Sequence, residues 1–137
     1  MWWIYALLSA VFAALTAIFA KVGVKNVNSD LATAIRTVVI LGIAWAIVFA
    51  RGEVRSIGEL SRENWIFLTL SGIATGCSWI FYFKALSIGD VSKVAPIDKL
   101  SVAIAIILAV VFLGEALTFK TAVGALLIIT GSIVLIF

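Results

Sequence analysis

The chain has 137 residues, 64% of them hydrophobic and only 12% charged, with a formal net charge of +3, no histidine and one cysteine. Soluble domains carry about 25% charged residues, and no soluble core could bury this much apolar side chain, so a mean hydropathy of +1.26 points to a membrane protein. With no histidine, no metal-ligand cluster and no nucleophile beside a base, the composition argues against an enzyme, a metal site or a cofactor.

A hydrocarbon core of about 30 Å needs about 20 mostly apolar residues per helix. The sequence divides at that grain five times, at residues 2–22, 31–50, 64–86, 91–113 and 118–137. The first stretch starts at Trp2 with no basic leader and runs too long for a cleaved signal, so it is expected to remain as a helix. One side of it carries Ala6, Ser9, Ala10, Ala13, Thr16, Ala17 and Ala20, and the bulky Leu7, Leu8, Val11, Phe12, Leu15, Ile18 and Phe19 take the other. Small side chains permit close approach, so that face should pack or line a cavity. Residues 25–30 break the first span from the second and offer Ser29 or Asp30 as an N-cap.

Lys21, Arg36 and Lys84 each lie close to a span end. Two readings stand for them. Long stems can carry the charge out to the interface, or the three can form a cationic vestibule around Asp98, one pairing with it until substrate or a proton intervenes.

Residues 51–63 form the one long polar connection, in which Ser56-x-x-Glu59 fits a capping box for a short interfacial helix. In the third span Gly72 and Gly76 share a face at the spacing of close helix packing. Ser71, Thr75, Ser78 and Tyr82 lie on an adjoining face, a hydroxyl stripe that suits either a wet surface or ordinary interhelical hydrogen bonds. Cys77 reads as a small packing residue. Tight turns at 87–90 and 114–115 make the last three spans antiparallel neighbours.

The fourth span holds the main anomaly. Asp98 and Lys99 directly precede the unbroken apolar run 100–113, and charge at or inside a hydrocarbon span costs on the order of a few kcal/mol unless paired or facing water. Pro96 stands beside them. If the helix starts after Asp90 or Ser92, Pro96 lies inside it, frees the carbonyl of Ser92 and loosens the turn. If Pro96 is instead the first helical residue, Asp98 sits in the first turn, favoured by the helix dipole, with Lys99 reaching outward. Asp98, Ser101, Ala105 and Ala109 fall on one small or polar stripe, which with Trp79 and Tyr82 of the third span would make a water-accessible wall. The fifth span is apolar beyond Lys120, and Gly124 and Gly131, one heptad apart, read as packing or dimer contacts.

Five spans place the termini on opposite faces of the membrane. A tandem copy would therefore be inverted, the plan of many secondary transporters, and a single copy reaches that plan by pairing with an oppositely inserted twin. Arg51, Arg55, Arg62 and Lys120 fall on one face and Lys21, Lys25, Lys84 and Lys93 on the other, with Arg36 a short way inside. That near balance permits dual insertion. The alternative is that the basic 51–62 connection stays cytoplasmic in every copy.

The stretches FYFKAL (81–86), VAPIDKLS (94–101), FLGE (112–115) and GALLIITG (124–131) resemble the single-repeat form of the EamA-type transporters in the drug/metabolite transporter superfamily. The resemblance covers essentially the whole chain and implies an all-α integral membrane protein, one EamA-like domain over residues 1–137 with five transmembrane helices. Members usually carry this unit twice, as inverted halves around a central cavity. One unit implies a homodimer, antiparallel, in the cell membrane.

The last of these segments is also similar to the dimer-forming helix of the small multidrug resistance family. That family has a membrane-embedded glutamate in its first helix, where Ser9, Ala13 and Thr16 stand here. The difference argues against a simple proton-for-cation exchanger and leaves Asp98 as the span-associated carboxylate for any coupling, Glu115 being read as a turn cap.

The expected function is secondary transport of small metabolites or drug-like solutes by alternating access, with the first, third and fourth helices of both protomers lining a midplane cavity. The expected substrate or coupling residues are Asp98, Lys99, Pro96, Ser101, Trp79, Tyr82, Ser78, Thr75, Arg36 and Lys84; Gly72, Gly76, Gly124 and Gly131 are expected at dimer or packing contacts. The expected partners are a small-molecule substrate, the lipid bilayer and a second copy, not nucleic acid. An accessory or scaffold membrane subunit and a flippase of lipid-linked substrates are the alternatives.

Overall fold

Each apolar run in the computed structural model, which describes residues 1–136, becomes helix, and local chemistry decides where each helix stops. In chain order the helices are α1 (Trp2–Gly23), α2 (Ser29–Arg51), α3 (Arg62–Ile88), α4 (Val91–Asp98), α5 (Leu100–Leu113) and α6 (Phe119–Ile136), with a 3-10 segment at Glu53–Glu59 between α2 and α3. No strand occurs among the described residues. Five segments are long and apolar enough to cross a membrane, α4 and α5 together forming the fourth, Val91–Leu113. The expected end of the fifth span at Phe137 lies outside the described residues.

The caps correct two expectations. Asn28, not Ser29 or Asp30, is the N-cap of α2: its Oδ1 accepts from the backbone N–H of Asp30 at 2.8 Å and of Leu31 at 3.3 Å. Asn28 has the extended backbone of a cap, and its short amide reaches the two orphan donors that follow. Ser29 is then the first helical residue, buried, with its carbonyl accepting the Thr33 hydroxyl at 2.8 Å. Asn28→Ala is expected to lower stability by about 1 kcal/mol, read as a lower thermal midpoint in detergent.

The capping box at Ser56 and Glu59 does not form. Gly52 ends α2 in the left-handed region, φ 68°, and donates its N–H to Phe49 O at 3.1 Å. The chain enters the 3-10 turn directly at Glu53, which leaves Ser56 in the middle of that turn instead of at its start. Trp45, Val48, Glu53, Ser56, Ile57 and Leu60 line an open hollow of about 430 Å³ there. Ser61 caps α3, accepting from Asn64 N–H at 3.1 Å. Gly114, φ 67°, closes α5, and Thr118 opens α6 by accepting from Thr121 N–H at 3.2 Å.

The helices group into two compact units, Phe19–Ser87 and Met1–Ile18 with the segment from Ile88 onward. Within the first, α2 contacts the 3-10 segment; within the second, α6 packs against both α4 and α5, as the short turn before it requires. Little of the chain is interior. Only 6–11% of the most apolar window in each span is buried, and Phe12, Phe67 and Phe112 point outward. Lipid tails are as apolar as these side chains, so burial gains nothing there and close packing is left to small residues.

Ala17, Ala20 and Ala103 are accordingly among the few buried positions. The small face of α1 is covered only at that end, since Ala6, Ser9, Ala10 and Ala13 are exposed. A Cβ added at Gly72, Gly76, Gly124 or Gly131 would meet nothing within 4 Å, so these glycines open smooth surface outward and hold no helix of their own chain.

Candidate functional site

In the unit Phe19–Ser87, Arg36 of α2 meets an aromatic platform on α3. Trp79 and Phe83 are four residues apart and share a helix face. The Arg36 Cζ lies 4.3 Å from the Trp79 ring centroid and 5.0 Å from that of Phe83. A cation desolvated against ring faces gains on the order of 2 kcal/mol. The rings supply no acceptor lone pair, however, and Arg36 Nη1 is buried with no hydrogen-bond partner.

Two hydroxyls on its own helix are engaged elsewhere. Thr33 and Thr37 donate back to their own helix, to Ser29 O and Thr33 O, both at 2.8 Å. Arg36 thus pairs with no carboxylate among the described residues; its guanidinium lies against α3. Tyr82, half-buried, stands edge-on to Phe83 at 6.3 Å. Phe83 is the member of this cluster that sequence reasoning missed, although its spacing of four from Trp79 was visible.

Lys21 closes a helix end. Its Nζ donates to Leu86 O at 2.8 Å, satisfying one of the carbonyls that the last turn of α3 leaves without a helical partner, with the charge at the favourable end of the dipole. Lys84 is exposed, and the Thr75 hydroxyl donates to Ser71 O at 2.9 Å. Thr75 and Ser78 both face outward from the chain.

The other unit holds the charged pair. Pro96 lies well inside α4, which overturns the reading of it as the first helical residue. The helix breaks three residues later, at Lys99. There the Lys99 N–H is shared between Ala95 O at 3.3 Å and Pro96 O at 3.1 Å, and Val102 N–H reaches back only three residues, to Lys99 O at 3.0 Å. These short-range bonds tighten the turn into 3-10 geometry.

The buried Ser132 of α6 donates its hydroxyl to Pro96 O at 3.0 Å, giving the carbonyl at the break a second donor. Ser132 was not among the expected residues; its one signal was a hydroxyl in an apolar helix. Ser132→Ala is expected to cost about 0.5–1 kcal/mol, the range for hydrogen bonds between membrane helices, as a shift in the detergent unfolding midpoint. Lys99 Nζ pairs with Asp98 Oδ2 at 3.1 Å, the two side chains 55% and 34% exposed. Ser101 and Ala105 beside them are also exposed.

Each unit therefore holds its own polar feature, a guanidinium on aromatic rings in one and an ion pair at a broken helix in the other. Against known families, residues 1–137 match the model of the EamA-like transporter family. The chain belongs to that family.

This EamA chain is 53% identical over 134 residues to an "Uncharacterized transporter in cobO 3'region" from a Sinorhizobium species, covering 98% of this chain and 95% of that protein. It is 30% identical over 129 residues to the "Uncharacterized transporter YxxF" of Bacillus subtilis (strain 168), covering 93% of this chain but 40% of the longer relative. No solved structure matches the chain. With its five apolar spans, the EamA protein is an integral, multi-pass membrane protein in a short, single-repeat form.

Proposed function

We propose that two copies of this EamA unit, inserted in opposite senses in the cell membrane, form a secondary transporter that moves small metabolites or drug-like solutes by alternating access. The observation that carries this reading is the match of the family model to all five spans. An odd number of spans inverts any second unit joined in tandem, and inverted pairs are the frame on which many secondary transporters rock.

The relatives are consistent with that plan. The Sinorhizobium protein is about one unit long, whereas this chain aligns to two-fifths of the Bacillus protein, which leaves room there for a second unit. The break at Lys99 supports the same reading, since broken spans carrying charge recur at transporter sites. The open glycine surfaces of α3 and α6 suit the close approach of a second copy.

The test is reconstitution. Purified protein in liposomes should move solute above the level of empty liposomes, reporters fused at the C-terminus should appear on both faces, and engineered cysteines at Gly124 and Gly131 should cross-link antiparallel copies. A parallel dimer, or reporters on one face only, would remove the inverted pair. A co-purifying partner without solute flux would favour an accessory subunit instead.

A further inference from the structure

We infer that Arg36, on its platform of Trp79 and Phe83, is the anchor for the carboxylate of an organic solute whose body is flat and apolar. The inference rests on the transport reading and names the substrate class of that site. A guanidinium within a span is expensive, and proteins normally offset it with a carboxylate or carbonyls.

Two other cations show the contrast. Lys21 has the carbonyl of Leu86 and Lys99 has Asp98, whereas Arg36 lies on the ring faces of Trp79 and Phe83, with the Tyr82 phenol near enough to act on it electrostatically and no carboxylate paired with it among the described residues. Cation–π contact places the guanidinium and leaves its N–H groups without acceptors. Nη1 is shut off from solvent without a partner, while the Arg36 residue as a whole is only half-buried, which leaves part of it open to the outside.

A planar fork of donors is matched in shape and charge by a carboxylate, which it binds through two parallel hydrogen bonds. Phe83 is buried, but the half-buried Trp79 would at the same time offer apolar ring surface to whatever carries that carboxylate. A cationic solute would gain nothing, because its positive group would sit beside Arg36. The guanidinium therefore favours an organic carboxylate over its neutral or cationic counterparts.

The experiment uses the full-length protein in phosphatidylcholine nanodiscs and matched probes, each acid beside its amide: benzoate and benzamide, cinnamate and cinnamamide, 3-phenylpropionate and 3-phenylpropionamide. Binding is read from thermal stabilisation and tryptophan fluorescence. At least one acid should stabilise the protein more than its amide, and Arg36→Gln should weaken that acid by about ten- to hundredfold, the scale of a lost charge-assisted bond. If Arg36→Gln does not fold, Arg36→Lys keeps the charge, loses the fork, and should still weaken the acid while leaving its amide unchanged.

Equal stabilisation by acid and amide in every pair, or acid binding indifferent to both substitutions, overturns the proposal. So does displacement of the acid by phosphatidylglycerol, which would make the site one for a lipid headgroup. Acid binding through Arg36 without flux would sink the transport reading and leave this site standing; flux with no preference for acids would do the reverse.

Discussion

Replacing Asp98 with asparagine is expected to cut solute flux through the reconstituted protein by about tenfold or more, the equivalent of one lost charge-assisted interaction. The amide keeps the shape of the carboxylate and removes its charge. Lys99, whose Nζ lies 3.1 Å from Asp98 Oδ2, is left as an unmatched cation where the fourth span breaks into α4 and α5. Loss of flux alone would not separate a coupling carboxylate from half of a structural pair, so the double substitution Asp98→Asn with Lys99→Met is the informative control. A purely structural pair predicts recovery once both charges are gone. A carboxylate that carries the coupling proton or ion predicts that the double variant stays as slow as the single one. Flux at the original level in Asp98→Asn would end the role given to this residue.

The largest effect on stability is expected two residues from a position where almost none is expected. Phe83 is 2% exposed and Phe81 is 73% exposed, although both lie in the same turn region of α3. Phe83→Ala opens a cavity and removes one of the two rings against the Arg36 guanidinium. Phe→Ala changes in soluble cores cost about 3–5 kcal/mol; within a bilayer the transfer from water drops out, so about 2–4 kcal/mol remains for lost packing and the cation–π contact. Phe81→Ala exchanges a ring for a lipid chain and should stay within about 0.5 kcal/mol of the original protein. Unfolding free energies from dodecyl sulfate titration in mixed micelles decide the matter. Equal effects at the two sites would mean that the face of α3 assigned to the interior is wrong.

The spans were legible because the bilayer imposes a length: runs of apolar residues long enough to cross it stand out from any pattern a soluble chain needs. Helix ends within the described residues fall within two residues of their expected positions. Caps were less legible. Asn28, Ser29 and Asp30 are all good cap residues, and only the extended backbone at Asn28 selects one of them. Pro96 was visible in the sequence, but the break lies three residues beyond it, at Lys99, where the backbone bonds of Lys99 and Val102 shorten to three-residue spacing.

Site residues were legible as types and not as partnerships. Arg36 and Trp79 could be named separately as unusual in their spans. Nothing local said that they meet, that Phe83 completes the contact, or that Lys21 caps α3. Hydropathy and spacing, which are properties of a short stretch of chain, determined that this protein crosses the membrane five times, in a single odd-numbered unit with charge at the fourth span. Tertiary structure alone decided which charged groups find a polar partner and that Arg36 Nη1 has none, because in a greasy helix the partner of a polar group comes from another helix, and only packing brings it there.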